Sequence, residues 1–114
     1  NDYDGIYRDV NNHVPKSQVL EILKGNKGDA TNYTLYTVSS KILQDGRYTE
    51  WYDETPDCVV EKTEYSMIDH MLVTQPLWNH IDMVDFYHKY REGCNTYQSD
   101  HYPIYVTFYW NQTI

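Results

Sequence analysis

The sequence predicts a single small unit of mixed helix and strand, α+β or a layered α/β arrangement rather than a helix bundle. Three observations lead there. The run 103–110 alternates, with Ile104, Val106, Phe108 and Trp110 on one face and Tyr105, Thr107 and Tyr109 on the other, the period of a strand. Only one segment, 17–23, carries helix-period apolar residues. The chain has 114 residues and no internal repeat, low-complexity tract or linker, which is room for one domain, 1–114.

Each element has a local reason. Residues 1–15 mix Asp, Asn, Gly and Tyr without a period and read as loop. Pro15-Lys16-Ser17 opens a short helix with Val19, Leu20, Ile22 and Leu23 on its apolar face, and Gly25 ends it. Residues 26–29 are a turn cluster, and 33–40 read as extended. Asp45-Gly46 marks a turn, after which 47–52 form a short strand or an aromatic loop, broken by Thr55-Pro56-Asp57. The run 66–73 is expected as one strand, Gln75-Pro76-Leu77-Trp78 as a turn or a single helical turn, and 81–87 as another strand. Residues 93–99 form a polar loop before the final strand.

Composition narrows the function classes. Nine Lys+Arg against 17 Asp+Glu leave a net charge of −8, the opposite of the basic balance that grips nucleic acid by bulk electrostatics. At 40% hydrophobic and 23% charged residues the chain is globular rather than disordered. No apolar run approaches the ~20 residues of a membrane span. Thirteen tyrosines and three tryptophans against two phenylalanines imply many half-buried rings with polar tips rather than a dry aliphatic core. With no Met and no signal-peptide h-region at its start, the chain reads as beginning at a processed or truncated end.

Cys58 and Cys94 are the only cysteines. They cannot make a four-ligand zinc site and are too far apart for a Cys-x-x-Cys redox motif, which leaves one disulfide or two thiols. The sequons Asn32-Tyr33-Thr34 and Asn111-Gln112-Thr113 favour a secreted, glycosylated protein and therefore the bridge. A Cys58–Cys94 bridge would stabilise the fold by about 3–4 kcal/mol through the unfolded chain.

The residues with chemistry to offer lie in the second half. Ser99-Asp100-His101-Tyr102-Pro103-Ile104 leads into the last strand, and Pro103, lacking an N–H, belongs at a strand's first position. Upstream, Asp69 sits in an apolar run. A carboxylate there needs a partner, and a histidine ring N–H is the natural one. An Asp that fixes a His tautomer and steadies its cation is a recurring device of acid–base catalysis. Other candidates read as structural: His70 as a packing or surface residue, and His80, Asp82, Asp85 and His88 as a solvated polar edge. Arg47, Tyr48 and Trp51 read as a half-buried cluster under a loop, and His13 has no evident partner.

These two segments resemble a known family. Ser99-Asp100-His101-Tyr102-Pro103-Ile104 is similar to the C-terminal Ser-Asp-His-x-Pro-Val signature of the endonuclease/exonuclease/phosphatase superfamily, the DNase I-like fold. Ser66-Met67-Ile68-Asp69-His70-Met71-Leu72-Val73 resembles its preceding strand, Arg-Ile-Asp-Tyr-Ile-Phe-Val, at a suitable distance. Asn1-Asp2 resembles the tail of the family's Gly-Asp-Phe-Asn motif. The resemblance implies that His101 contacts the scissile phosphate, Asp69 orients it, Asn1 positions phosphate or nucleophile, and Asp100 helps bind Mg²⁺ or another divalent cation.

The resemblance covers the whole chain, but as the C-terminal half of a four-layer α/β/β/α sandwich: one mostly antiparallel sheet with a flanking helix. The family's metal-binding Glu, its upstream His and the Asp of its Gly-Asp motif would precede Asn1. The implied partner is thus a second chain or segment carrying the N-terminal half, and the implied activity is a metal-dependent phosphoesterase, a nuclease or related phosphodiesterase. The alternative is a catalytically inactive DNase I-like subunit with a structural or binding role in an extracellular assembly; a third reading is an independent small binding domain.

Overall fold

The computed structural model describes residues 2–26, 34–53, 58–89 and 99–110. Asn1, the sequon residues Asn32 and Asn111, and Cys94 lie outside them.

Carboxylates organise the non-repetitive first segment. Asp4 Oδ1 accepts the N–H groups of Ile6 and Tyr7, both at 2.8 Å, and Asp9 Oδ1 accepts those of Asn11 and His13 at 3.1 and 2.9 Å, the local captures that make Asp a turn residue. Helix α1 (Val19–Leu23) follows. Gly25 takes φ 78° just beyond it, a left-handed conformation that suits glycine at a helix end. Lys24 is buried and bonds both carboxylate oxygens of Asp4 at 2.9 Å. The apolar side chains Val19, Ile22 and Leu23 of α1 stay exposed.

The strands are short and antiparallel. β1 (Tyr36–Thr37) gives way to a 3-10 helix at Val38–Lys41, and a second 3-10 turn occupies Gln44–Gly46. β2 (Glu50–Trp51) pairs with β3 (Tyr65–Ser66), Glu50 opposite Ser66. β4 (Leu72–Val73) returns to β1. Pro76 stands in the first turn of α2 (Gln75–Trp78), where its missing N–H is no loss. β5 (Ile81–Phe86) and β6 (Ile104–Phe108) form the longest ladder. An isolated antiparallel bridge joins Glu50 to His101.

The α+β class stands, and finer expectations change, among them the extended run expected at 33–40, whose end coils into the 3-10 helix Val38–Lys41. The described strands form three two-stranded ladders rather than one sheet. The strand expected at 66–73 is split, because side chains take the backbone donors a neighbouring strand would use: Met67 N–H goes to Asp9 Oδ2 at 3.1 Å, and those of Ile68 and Asp69 go to Thr49 Oγ1 at 3.1 and 3.2 Å.

Burial is unusually polar. Among the described residues the buried apolar side chains are Val38, Met67, Val73 and Phe86, alongside Asp4, Asp9, Lys24, Thr37, Ser39, Thr49, Glu64 and Ser66. Tyrosines supply the half-buried rings expected of them. Tyr48 stacks between Tyr65 at 4.0 Å and His88 at 3.6 Å, with Tyr102 edge-on to both Tyr48 and His88. The apolar side of the final strand is only partly buried: Phe108 and, beyond the end of β6, Trp110 are 39% and 67% exposed. The radius of gyration is 16.0 Å, against roughly 13 Å for a compact chain of this length.

Candidate functional site

One short segment positions the site. The Thr49 carbonyl accepts Tyr102 N–H at 2.6 Å, and Trp51 N–H donates to the Asp100 carbonyl at 2.9 Å. Residues 49–51 therefore hold residues 100–102 from both sides of His101. The Thr49 hydroxyl oxygen holds the backbone of Ile68 and Asp69. Pro103 follows, its carbonyl accepting Tyr87 N–H at 2.8 Å, so it enters the last ladder as an acceptor while offering no donor. Asp69 and His101, far apart in sequence, are both fastened to Thr49–Trp51.

The result is a histidine with carboxylates at both ring nitrogens. His101 Nδ1 lies 2.6 Å from Asp69 Oδ2, and Nε2 lies 3.3 Å from Glu50 Oε2 and 3.7 Å from Asp100 Oδ1. The ring is partly open to solvent, with 35% of the side chain exposed. Burial disfavours the imidazolium, but the hydrogen bond and charge of Asp69, joined by Glu50 and Asp100, outweigh it and raise the His101 pKa above the usual histidine value. Glu50 is raised as well, first by burial and then by its hydrogen bond to and repulsion from Asp100, against the pull of His101 and Ser66. Ser66 Oγ donates to Glu50 Oε1 at 3.2 Å.

Glu50, Asp100 and His101 each offer one ligand atom, all within 4.8 Å of one another. Carboxylates with open positions suit a divalent cation such as Mg²⁺, which takes one or two of them and keeps waters; the His101 nitrogen is a ligand only when its Nε2 is unprotonated.

The remaining sequence candidates separate cleanly. Asn1 lies outside the described residues. His70 Nε2 meets the Asp2 carbonyl at 2.6 Å, a structural contact away from the His101 ring. His88 is a correction: it does not join a solvated edge, but stacks on Tyr48 and bonds the Tyr48 carbonyl at 2.8 Å, and burial lowers its pKa. His80 bonds the Pro76 carbonyl and stacks on Trp110. Arg47 ties down the carbonyls of Ser39, Ile42 and Arg8, and the Trp51 indole donates to Glu64 Oε1 at 2.9 Å. Both are framework. Cys58 has φ 60°, and its N–H meets Asp53 Oδ2 at 2.9 Å. No free cysteine occurs among the described residues.

Sequence reasoning missed Glu50, Thr49 and the partner of His13. The signal for Glu50 was the same as for Asp69, an acid inside an aromatic, strand-like run. His13 Nδ1 bonds the buried Asp9 at 2.7 Å and its ring stacks on Tyr3, and the four-residue spacing of Asp9 and His13 was the clue. Comparisons with protein-family models, with curated proteins and with solved structures find no match to this chain.

Proposed function

We propose that this chain carries the acid–base part of a metal-dependent phosphoesterase site, acting on a phosphodiester of nucleic acid or a related phosphoester. One observation carries the reading: the 2.6 Å contact between His101 Nδ1 and Asp69 Oδ2, across 32 residues of sequence. Asp69 accepts from Nδ1–H, which fixes the ring and steadies its positive form. Nε2 then faces Glu50 and Asp100, where a protonated ring can neutralise a phosphoryl oxygen or hand its proton to the leaving oxygen. Asp100 is the residue that would hold Mg²⁺. When bound, the cation offsets phosphate charge and acidifies water. A net charge of −8 disfavours broad electrostatic attraction to DNA and leaves substrate binding to such local contacts.

The fold belongs to the same proposal. A half of a DNase I-like four-layer sandwich, completed by a second chain or segment, accounts for an uncovered α1 face and for Phe108 and Trp110 standing in solvent. Exposed apolar surface of this kind is normally covered by a neighbour. Secretion, with Asn32 and Asn111 glycosylated and Cys58 bridged to Cys94, is the setting in which sequons and a lone cysteine pair occur together.

The test is turnover of bis-p-nitrophenyl phosphate by the intact protein with Mg²⁺. His101→Ala should lower the rate by about 10²- to 10⁴-fold, the range for one acid–base group. Unchanged turnover would remove His101 from the mechanism, and absence of turnover in the assembled wild type assigns the inactive-subunit role instead.

A further inference from the structure

The Glu50 side chain is held at both of its oxygens, with the Asp100 carboxylate beside it as a repelling neighbour. Ser66 Oγ donates to Oε1 at 3.2 Å, and Oε2 lies 3.3 Å from His101 Nε2. The backbone explains why. Glu50 is the register partner of Ser66 on one side and of His101 on the other, and directly opposed residues in antiparallel pairs project to the same face. Ser66 is buried and the Glu50 side chain is 18% exposed, so this is a built position rather than a chance surface pair. The two donors form a fork, a hydroxyl and an imidazole N–H, spaced to take two oxygens of one anionic group.

We propose that Glu50 is a positioning residue that occupies the phosphate subsite of the free protein, its two oxygens standing where two phosphoryl oxygens of the substrate bind, so that substrate enters by displacing Glu50 from Ser66 and His101. This rests on the reading of His101 as the phosphate-contacting histidine and adds Ser66 as a second phosphate donor. In the free protein Glu50 keeps both donors satisfied, so neither the partly buried imidazole nor the buried hydroxyl stands unpaired. Displacement also sets specificity: an incoming group has to offer oxygen acceptors to both donors in place of the Glu50 carboxyl, which a phosphoester oxyanion does and an uncharged ester does less well.

Inorganic phosphate is the probe, titrated into the intact protein in chelator and followed by the ¹H–¹⁵N signals of the His101 ring. Glu50→Asp keeps the charge but withdraws the carboxylate by one methylene. It should bind phosphate about tenfold more tightly than wild type, the worth of one charge-assisted hydrogen bond, with the largest shift at Nε2. Glu50→Gln should also gain affinity. Adding Ser66→Ala to Glu50→Asp should remove most of the gain while leaving the Nδ1 signal in contact with Asp69, which also shows that the variant is folded. Wild-type affinity in Glu50→Asp with a gain only in Glu50→Gln would reduce the effect to net charge and overturn the proposal, as would phosphate binding that leaves Nε2 unmoved. These readouts need no turnover, so they stand or fall apart from the His101→Ala assay.

Discussion

The hydroxyl oxygen of Thr49 accepts the backbone N–H of Asp69 at 3.2 Å, and through it the residue whose carboxylate bonds His101 is fastened to the chain next to Glu50. Thr49 is fully buried, so its contacts have no water to replace them. Thr49→Val keeps the shape and strands two backbone donors, those of Ile68 and Asp69. The expected loss is about 2 kcal/mol, read by urea denaturation, with a fall in turnover larger than that of any surface variant. Thr49→Ser should recover both; equal losses in Val and Ser would show that the hydroxyl is not the cause.

The Asp4–Lys24 pair is the buried ion pair of the N-terminal segment. Asp4→Ala leaves the buried ammonium with Glu21 as its one carboxylate among the described residues, at 3.1 Å, and should destabilise by about 3 kcal/mol, the lower end for a broken buried pair. Burial raises the Asp4 pKa, but Lys24 and the N–H groups of Tyr7 and Ile6 outweigh it and hold the carboxyl below its usual range. A depressed carboxylate contributes stability that is present above the unfolded pKa, about 3.9, and is lost as pH falls through the folded value. Melting temperatures measured from neutral pH downward should therefore fall more steeply for wild type than for Asp4→Asn.

His101 works in the opposite sense. Its pKa is raised in the folded protein, so its contribution to stability is fully present below the unfolded value of about 6.5 and is lost as pH rises through the folded one. Wild type should lose melting temperature across that interval, and Asp69→Asn should flatten the change. An identical alkaline slope in Asp69→Asn would show that Asp69 does not hold the imidazolium.

The Cys58–Cys94 bridge is testable without activity. Reduction should shift the mobility of the chain on a denaturing gel and lower its melting temperature, consistent with a loss of about 3–4 kcal/mol. No change in either would remove the bridge and weaken the expectation of secretion.

Much of the site was legible because its logic is local. Asp69 in an apolar run required a partner, and His101 before Pro103 marked a strand entrance; the 2.6 Å contact joins them. Gly25 as a helix stop, Pro76 in a helical first turn and strands at 81–86 and 104–108 follow from conformational preference and residue pattern. The α1 face was legible as amphipathic, but whether it is covered is not a local property.

What the chain determined by itself is the inventory: which segments can extend or coil, and which acid needs which base. Tertiary structure alone decided that Glu50 stands opposite His101, that Thr49 and Asp9 capture the donors of Met67, Ile68 and Asp69 and so break the expected strand, and that His88 enters a ring stack. The physical reason is the same in each case. A side chain that takes a backbone donor, or a bridge between residues 50 and 101, is chosen by the register of distant segments, and register leaves no trace in the periodicity of either segment alone.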